Sequence, residues 1–120
     1  MPKYVDGYIL PVPKKKLSQY RKMAKVGAKT WKKYGALEYF ECVGDDLSPA
    51  FAGITFPQTV KAKKNETVIF SFIVYKSRKH RDSVNARVMK DPIMNDPMNM
   101  PMPFDMKRMV YGGFKAIVEE

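Results

Sequence analysis

Cysteine, histidine and tryptophan occur once each in the 120 residues. With Cys42 alone no internal disulfide can form, and no zinc-ligand spacing, phosphate-binding glycine loop or esterase-type serine motif is present. No apolar run approaches the roughly 20 residues of a membrane-spanning helix. The first ten residues, MPKYVDGYIL, show no charged lead and apolar core of a secretory leader. A lone cysteine and no leader point to a reducing, cytoplasmic location. Acidic residues are also scarce, 12 against 22 Lys and Arg, for a net charge of +10. Such a charge favours solubility and contact with polyanions and carries no information about fold. It is unevenly spread: the span from Lys14 to Lys33 holds nine basic residues and no Asp or Glu.

An apolar share of 45% and a charged share of 28% belong to a soluble globular chain, and the length suits one domain over residues 1–120. Glu66–Pro92 organises it. Val68 to Tyr75 is a β-branched and aromatic run interrupted only by Ser71, the pattern of a central strand covered on both faces. Ser77 offers an N-cap, the apolar spacing lengthens to four at His80, Val84 and Val88, and Pro92 ends the helix. Before it, Tyr4 to Val12 reads as a strand. Lys14 to Tyr34 reads as a helix with Leu17, Tyr20, Ala24, Gly27, Ala28, Trp31 and Tyr34 on one stripe, stopped by Gly35. Leu37 to Val43 alternates as a second strand. Leu47 to Asn65 is expected as a packed loop or short extra strand. The Met- and Pro-rich stretch 92–104 is expected as a structureless connection, functional or mobile, before a last strand over Lys107 to Val118 with a bulge or a close approach at Gly112 and Gly113. The order strand, helix, strand, strand, helix, strand predicts an α+β, ferredoxin-like βαββαβ sandwich. Its four-stranded antiparallel sheet has both helices on one face. The other face also carries apolar residues, which a second copy of the chain would cover.

The segments YVDGYILPVP, ALEYFECVGDD, ETVIFSFIVYKSRKHRD, VNARVMKDP and MPFDMKRMVYGGF, in that order over nearly the whole chain, resemble the YbaA-like family of small uncharacterised bacterial proteins. The resemblance implies a homodimer, a dimeric α+β barrel with two sheets face to face, and no reaction. Relatives in the wider superfamily include cofactor-free oxygenases, isomerases and decarboxylases acting on small aromatic or lactone compounds. Some family members carry a name mentioning signal-recognition RNA, but nothing in these segments is an RNA-binding signature. The lysine-rich start of the first helix and the methionine-rich loop depart from the family's usual pattern.

Several residues invite a chemical reading. His80, Arg81 and Asp82 spell the HRD of a kinase catalytic loop, but the other kinase parts are missing. His80 on the inward stripe could act as a general base in a cavity between helix and sheet, with Arg81, Glu41 and Trp31 beside it; a packed histidine with both nitrogens satisfied is the favoured alternative. Asp6, Glu38 and Glu41 are carboxylates within strands, and the first and last strands should be neighbours, so Asp6 is expected to form a structural ion pair with Arg108. Cys42 is expected as a small buried hydrophobe rather than a nucleophile. Met98, Met100 and Met102 have a spacing cuprous ion would accept, but without a neighbouring Cys or His no metal is expected, nor any cofactor. The exposed arc of the first helix, with Lys22, Lys25, Lys29 and Lys33, could hold nucleic acid or another polyanion through salt-dependent phosphate contacts. A solvated face is favoured over that, because Tyr20 and Trp31 lie on the apolar stripe instead of among the lysines. The leading expectation is a homodimer binding a small organic ligand, or acting on one without a cofactor, in a pocket between sheet and helices.

Overall fold

The computed structural model describes residues 1–120. Four strands, β1 (Tyr4–Pro13), β2 (Glu38–Val43), β3 (Glu66–Tyr75) and β4 (Val110–Lys115), form one sheet in the order β2-β3-β1-β4, with every neighbouring pair antiparallel. Helix α1 (Leu17–Lys33) joins β1 to β2, and α3 (Arg78–Lys90) joins β3 to β4. This is the ferredoxin-like α+β arrangement expected from the order of elements.

Each element follows from its local chemistry. Helix α1 starts without a side-chain cap and with no acid in its first turn, preceded by a 3₁₀ turn at Lys14–Lys16. It ends before Gly35, whose φ of +112° is open to glycine alone at little cost. Helix α3 begins at Ser77, whose hydroxyl accepts the His80 backbone N–H, and Pro92 follows its last turn. Val84 and Val88 of α3 are almost wholly withdrawn from water, each burial stabilising the fold by about 1.5–3 kcal/mol.

The inner face of the sheet packs on α1 and α3 through two clusters. Leu10, Val12 and Ile69 meet Tyr20, Met23 and Ala24; Ile73 and Tyr75 meet Ala36, Val84 and Val88. Tyr8 touches both. Strand alternation and register place Phe40, Phe70, Phe72, Val110 and Phe114 on the outer face. Phe40 stacks on Phe72 with centroids 5.0 Å apart, yet Phe114 is 63% exposed and Phe70 43%. On that face of the central strand Val68 and Val74 are buried, and the one-turn helix α2 (Phe56–Thr59) sets Phe56 edge-on against the half-exposed Phe70.

Three local expectations change and one resolves to a single alternative. The segment after β2 forms α2, closed by a capping box between Thr55 and Gln58, and no strand. The Met- and Pro-rich stretch is not structureless: a 3₁₀ turn spans Pro92–Asn95, and another, Met106–Arg108, follows it. Of the bulge or close approach expected in β4 the structure has the close approach: no bulge interrupts the strand, where Gly112 pairs with Gly7 and Gly113 with Asp6. Gly113 is needed there because a side chain would overlap the Tyr4 ring. Cys42 is exposed on the outer face, since its parity in β2 matches Phe40 and not the inward Glu41.

Candidate functional site

A cavity of about 610 Å³ lies between the inner face of the sheet and the two long helices. Strand parity builds its floor: Tyr8 and Leu10 from β1, Tyr39 and Glu41 from β2, Ser71 and Ile73 from β3, and Tyr111 from β4 all point inward. Helix α1 supplies Tyr20, Gly27 and Trp31, and α3 supplies Asn85 and Met89. The remaining wall comes from the stretch between α3 and β4, through Met94, Met100, Met102, Phe104 and Met106. Seven of the nine methionines in the chain border this space, so the methionine-rich loop is a pliable wall rather than a linker.

Glu41 is its single acid. Tyr20 donates its hydroxyl to Oε1 at 2.8 Å and Tyr39 donates to Oε2 at 2.7 Å. Burial raises the Glu41 carboxyl above the usual carboxylate range, against the hydrogen bonds from Tyr39, Tyr20 and Ser71, which favour the charged form. The same burial, with the Glu41 charge beside them, pushes the Tyr20 and Tyr39 phenols far up, so both stay protonated donors. Gly27 makes room for this group: a Cβ there would sit 3.1 Å from the Tyr39 hydroxyl oxygen. Opposite, Asn85 Oδ1 accepts from Trp31 Nε1 and from the Tyr75 hydroxyl, each at 3.0 Å, fixing the indole 5.9 Å from the Tyr39 ring. A smaller groove between α1 and β2 shares Tyr20, Ala24, Tyr39 and Glu41 itself with the cavity and carries Arg21 and Lys25.

Of the expected pocket residues, Trp31 and Glu41 come together on this cavity, while His80 and Arg81 do not line it. His80 Nδ1 accepts the Lys76 backbone N–H at 3.0 Å, and its Nε2 lies against Gly35. Burial and the charges of Lys76 and Arg87 push its pKa down. Arg81 turns to Asp6, donating from Nη1 to Oδ1 at 2.7 Å, while Nε bonds Asp82 at 2.8 Å. The Tyr111 hydroxyl closes a triangle, accepting from Arg81 and donating to Asp6.

The ion pair expected between Asp6 and Arg108 does not form. Asp6 is opposite Gly113, whereas β4 begins with Val110 opposite Ile9, so Arg108 lies beyond the other end of that register. There it grips Glu66 with two bonds of 2.7 and 2.8 Å and Asp105 with one of 3.0 Å, drawing the Glu66 carboxyl down to about 2. Lys22, Lys25, Lys29 and Lys33 are exposed along α1, and Lys33 is engaged by Asp91 at 3.3 Å. No helix is long and apolar enough to cross a membrane.

The residues that sequence reading missed are the hydroxyl and amide partners: Tyr8, Tyr20, Tyr39, Ser71, Asn85 and Tyr111. Their signal is parity. Tyr39 and Glu41, two apart in one strand, share a face, and Tyr20 sits on the inward stripe of α1.

A family model described as "Protein of unknown function (DUF1428)" matches residues 3–106. The chain is 45% identical over 118 residues to "Uncharacterized protein YbaA" of Escherichia coli (strain K12), covering 98% of this chain and 99% of that one. It matches the protein of the same name from Shigella flexneri equally well. Among solved structures it is similar to a dimeric ferredoxin-like protein from an uncultured marine organism, at 13% identity and a TM-score of 0.61 over the full length of both; at that identity the likeness is one of fold.

Proposed function

The chain belongs to the DUF1428 family of proteins of unknown function, and we propose that it is a homodimeric protein that binds a small organic molecule in the cavity between sheet and helices. The observation that carries this reading is the cavity itself, at about 610 Å³ and lined mainly by aromatic and methionine side chains around a few convergent polar groups. That size and lining are those of a small-molecule site. Glu41, Asn85 and Ser71 supply polar contacts for orientation, and Glu41 is the group through which a cofactor-free proton transfer would run.

The dimer rests on the outer face. Phe40, Phe70, Phe72, Val110 and Phe114 form an apolar surface, and by strand alternation no Lys or Arg of the sheet points from it. A second copy set face to face covers it, a reading supported by the marine structural neighbour, which is a dimeric ferredoxin-like protein. Polyanion binding through Lys22, Lys25, Lys29 and Lys33 stands second, because Lys33 already has Asp91 and no aromatic is interleaved for base stacking. Cytoplasmic location agrees with the single exposed cysteine.

Native mass spectrometry on gently purified protein tests both parts. A dimer carrying a small additional mass is expected. A monomer contradicts the homodimer, and a bare protein whose melting temperature no small organic compound raises contradicts the pocket. Binding to RNA that collapses between roughly 50 and 200 mM salt would promote the polyanion reading instead.

A further inference from the structure

The charge of the cavity is at odds with the charge of the chain. Lys and Arg outnumber Asp and Glu by 22 to 12, yet among the 21 residues around the cavity there is no Lys, Arg or His, and the one ionisable acid is Glu41. The chain's five ion-paired carboxylates are Asp6, Glu66, Asp82, Asp91 and Asp105. Glu41 forms no ion pair, although it also lines the neighbouring groove that carries Arg21 and Lys25.

Around Glu41 the walls are aromatic: Tyr8, Tyr20, Trp31, Tyr39, Phe104 and Tyr111. Aromatic faces attract cations through the ring quadrupole, more strongly where water is excluded, and methionine thioethers add polarizable, uncharged contact. The two phenol hydroxyls reach one carboxylate oxygen each. A carboxylate offers about four acceptor positions, so Glu41 keeps capacity for a further donor. An anion entering here would meet an acid and no compensating base.

Resting on the ligand-binding reading above, we propose that the ligand is an apolar organic cation, an alkyl or aryl amine whose ammonium group lies against the Glu41 carboxylate among the aromatic walls. The cation missing from Glu41 is then supplied by the ligand, and the cavity discriminates by charge against carboxylates and phosphates.

Isothermal titration of the full chain at pH 7 with three matched probes, 4-phenylbutylamine, 4-phenylbutan-1-ol and 4-phenylbutanoate, tests it. The amine is expected to bind at least tenfold more tightly than the alcohol, and the carboxylate most weakly. Glu41→Gln is expected to abolish the amine's advantage over the alcohol, and an unchanged far-UV circular dichroism spectrum reports that the variant is folded. An amine preference below tenfold, or one that survives Glu41→Gln, overturns the charge assignment and leaves the pocket standing. Failure of all three probes to bind overturns the amine assignment, while the pocket itself is judged by the native mass and the melting temperature.

Discussion

Asp6 and Glu41 both point into the layer between sheet and helices, and the fold equips them differently. Asp6, at the α3 end, is wholly buried and holds Arg81 at 2.7 Å with the Tyr111 hydroxyl at 3.1 Å. Glu41, on the edge strand, is part-buried and meets only hydroxyls. One has a cation carried by the chain; the other does not, in a molecule with ten positive charges in excess. The difference separates structure from function. A buried ion pair fixes how α3 sits on the sheet. An acid without a cation, facing a cavity, is equipped to meet something from outside.

The largest effect is expected where the pairing is broken. Arg81→Met leaves the Asp6 charge buried and uncompensated and should cost about 3–5 kcal/mol, read by urea unfolding. Adding Asp6→Asn to Arg81→Met should recover a substantial part of that loss, because the orphaned charge is gone. A double variant no more stable than Arg81→Met would show that Arg81 acts through packing over the Tyr4 ring, 4.8 Å from its guanidinium, and not through Asp6.

Glu66 extends the paired side of the comparison. Arg108 holds its carboxyl down from 4.5 to about 2. A depressed folded-state value means that this stabilisation is complete above the ordinary pKa and is lost as pH falls from about 4.5 toward 2. Stability measured against pH should therefore drop across that window, by less than the Arg81→Met loss, and Arg108→Gln should flatten the drop.

For Glu41 the sign reverses. Burial raises its folded-state pKa, so its protonated form is favoured by folding, and stability should fall slightly as pH rises from its ordinary value through the raised one. Glu41→Gln should remove that slope. It should also change stability at pH 7 by no more than about 1 kcal/mol, since no cation is orphaned and one hydroxyl keeps an acceptor. A loss as large as that of Arg81→Met would make Glu41 a structural group and erase the contrast.

Much of this was legible in the sequence, and the reason is periodicity. The change from spacing two to spacing four at Ser77, the stripe of α1 and the stop at Gly35 specify the elements and their order, hence the sheet topology. Partners were less legible, because they depend on register. Arg108 and Asp6 lie on neighbouring strands, but antiparallel pairing sends them to opposite ends, and the cation that Asp6 takes comes from α3, 75 residues away. Of the cavity, Glu41 and Trp31 could be picked out as chemically unusual residues at inward positions. Tyr20 and Asn85 could not, since tyrosine and asparagine at such positions look like ordinary packing until Glu41 or Trp31 is seen against them. His80 misled in the other direction: its place on the α3 stripe was right, but the stripe's first turn caps against Gly35 and Lys76 rather than facing the cavity.

The most direct test of the contrast is the titration of the Glu41 side-chain carboxyl, followed by carbon-13 NMR in the free protein and with saturating 4-phenylbutylamine. An ammonium group bound against the carboxylate must favour its ionised form, so the midpoint should start above the ordinary glutamate value and fall by one unit or more with the amine, a unit being the equivalent of a tenfold preference in binding. A midpoint that the amine leaves in place would contradict the assignment of Glu41 as the acid waiting for an external cation.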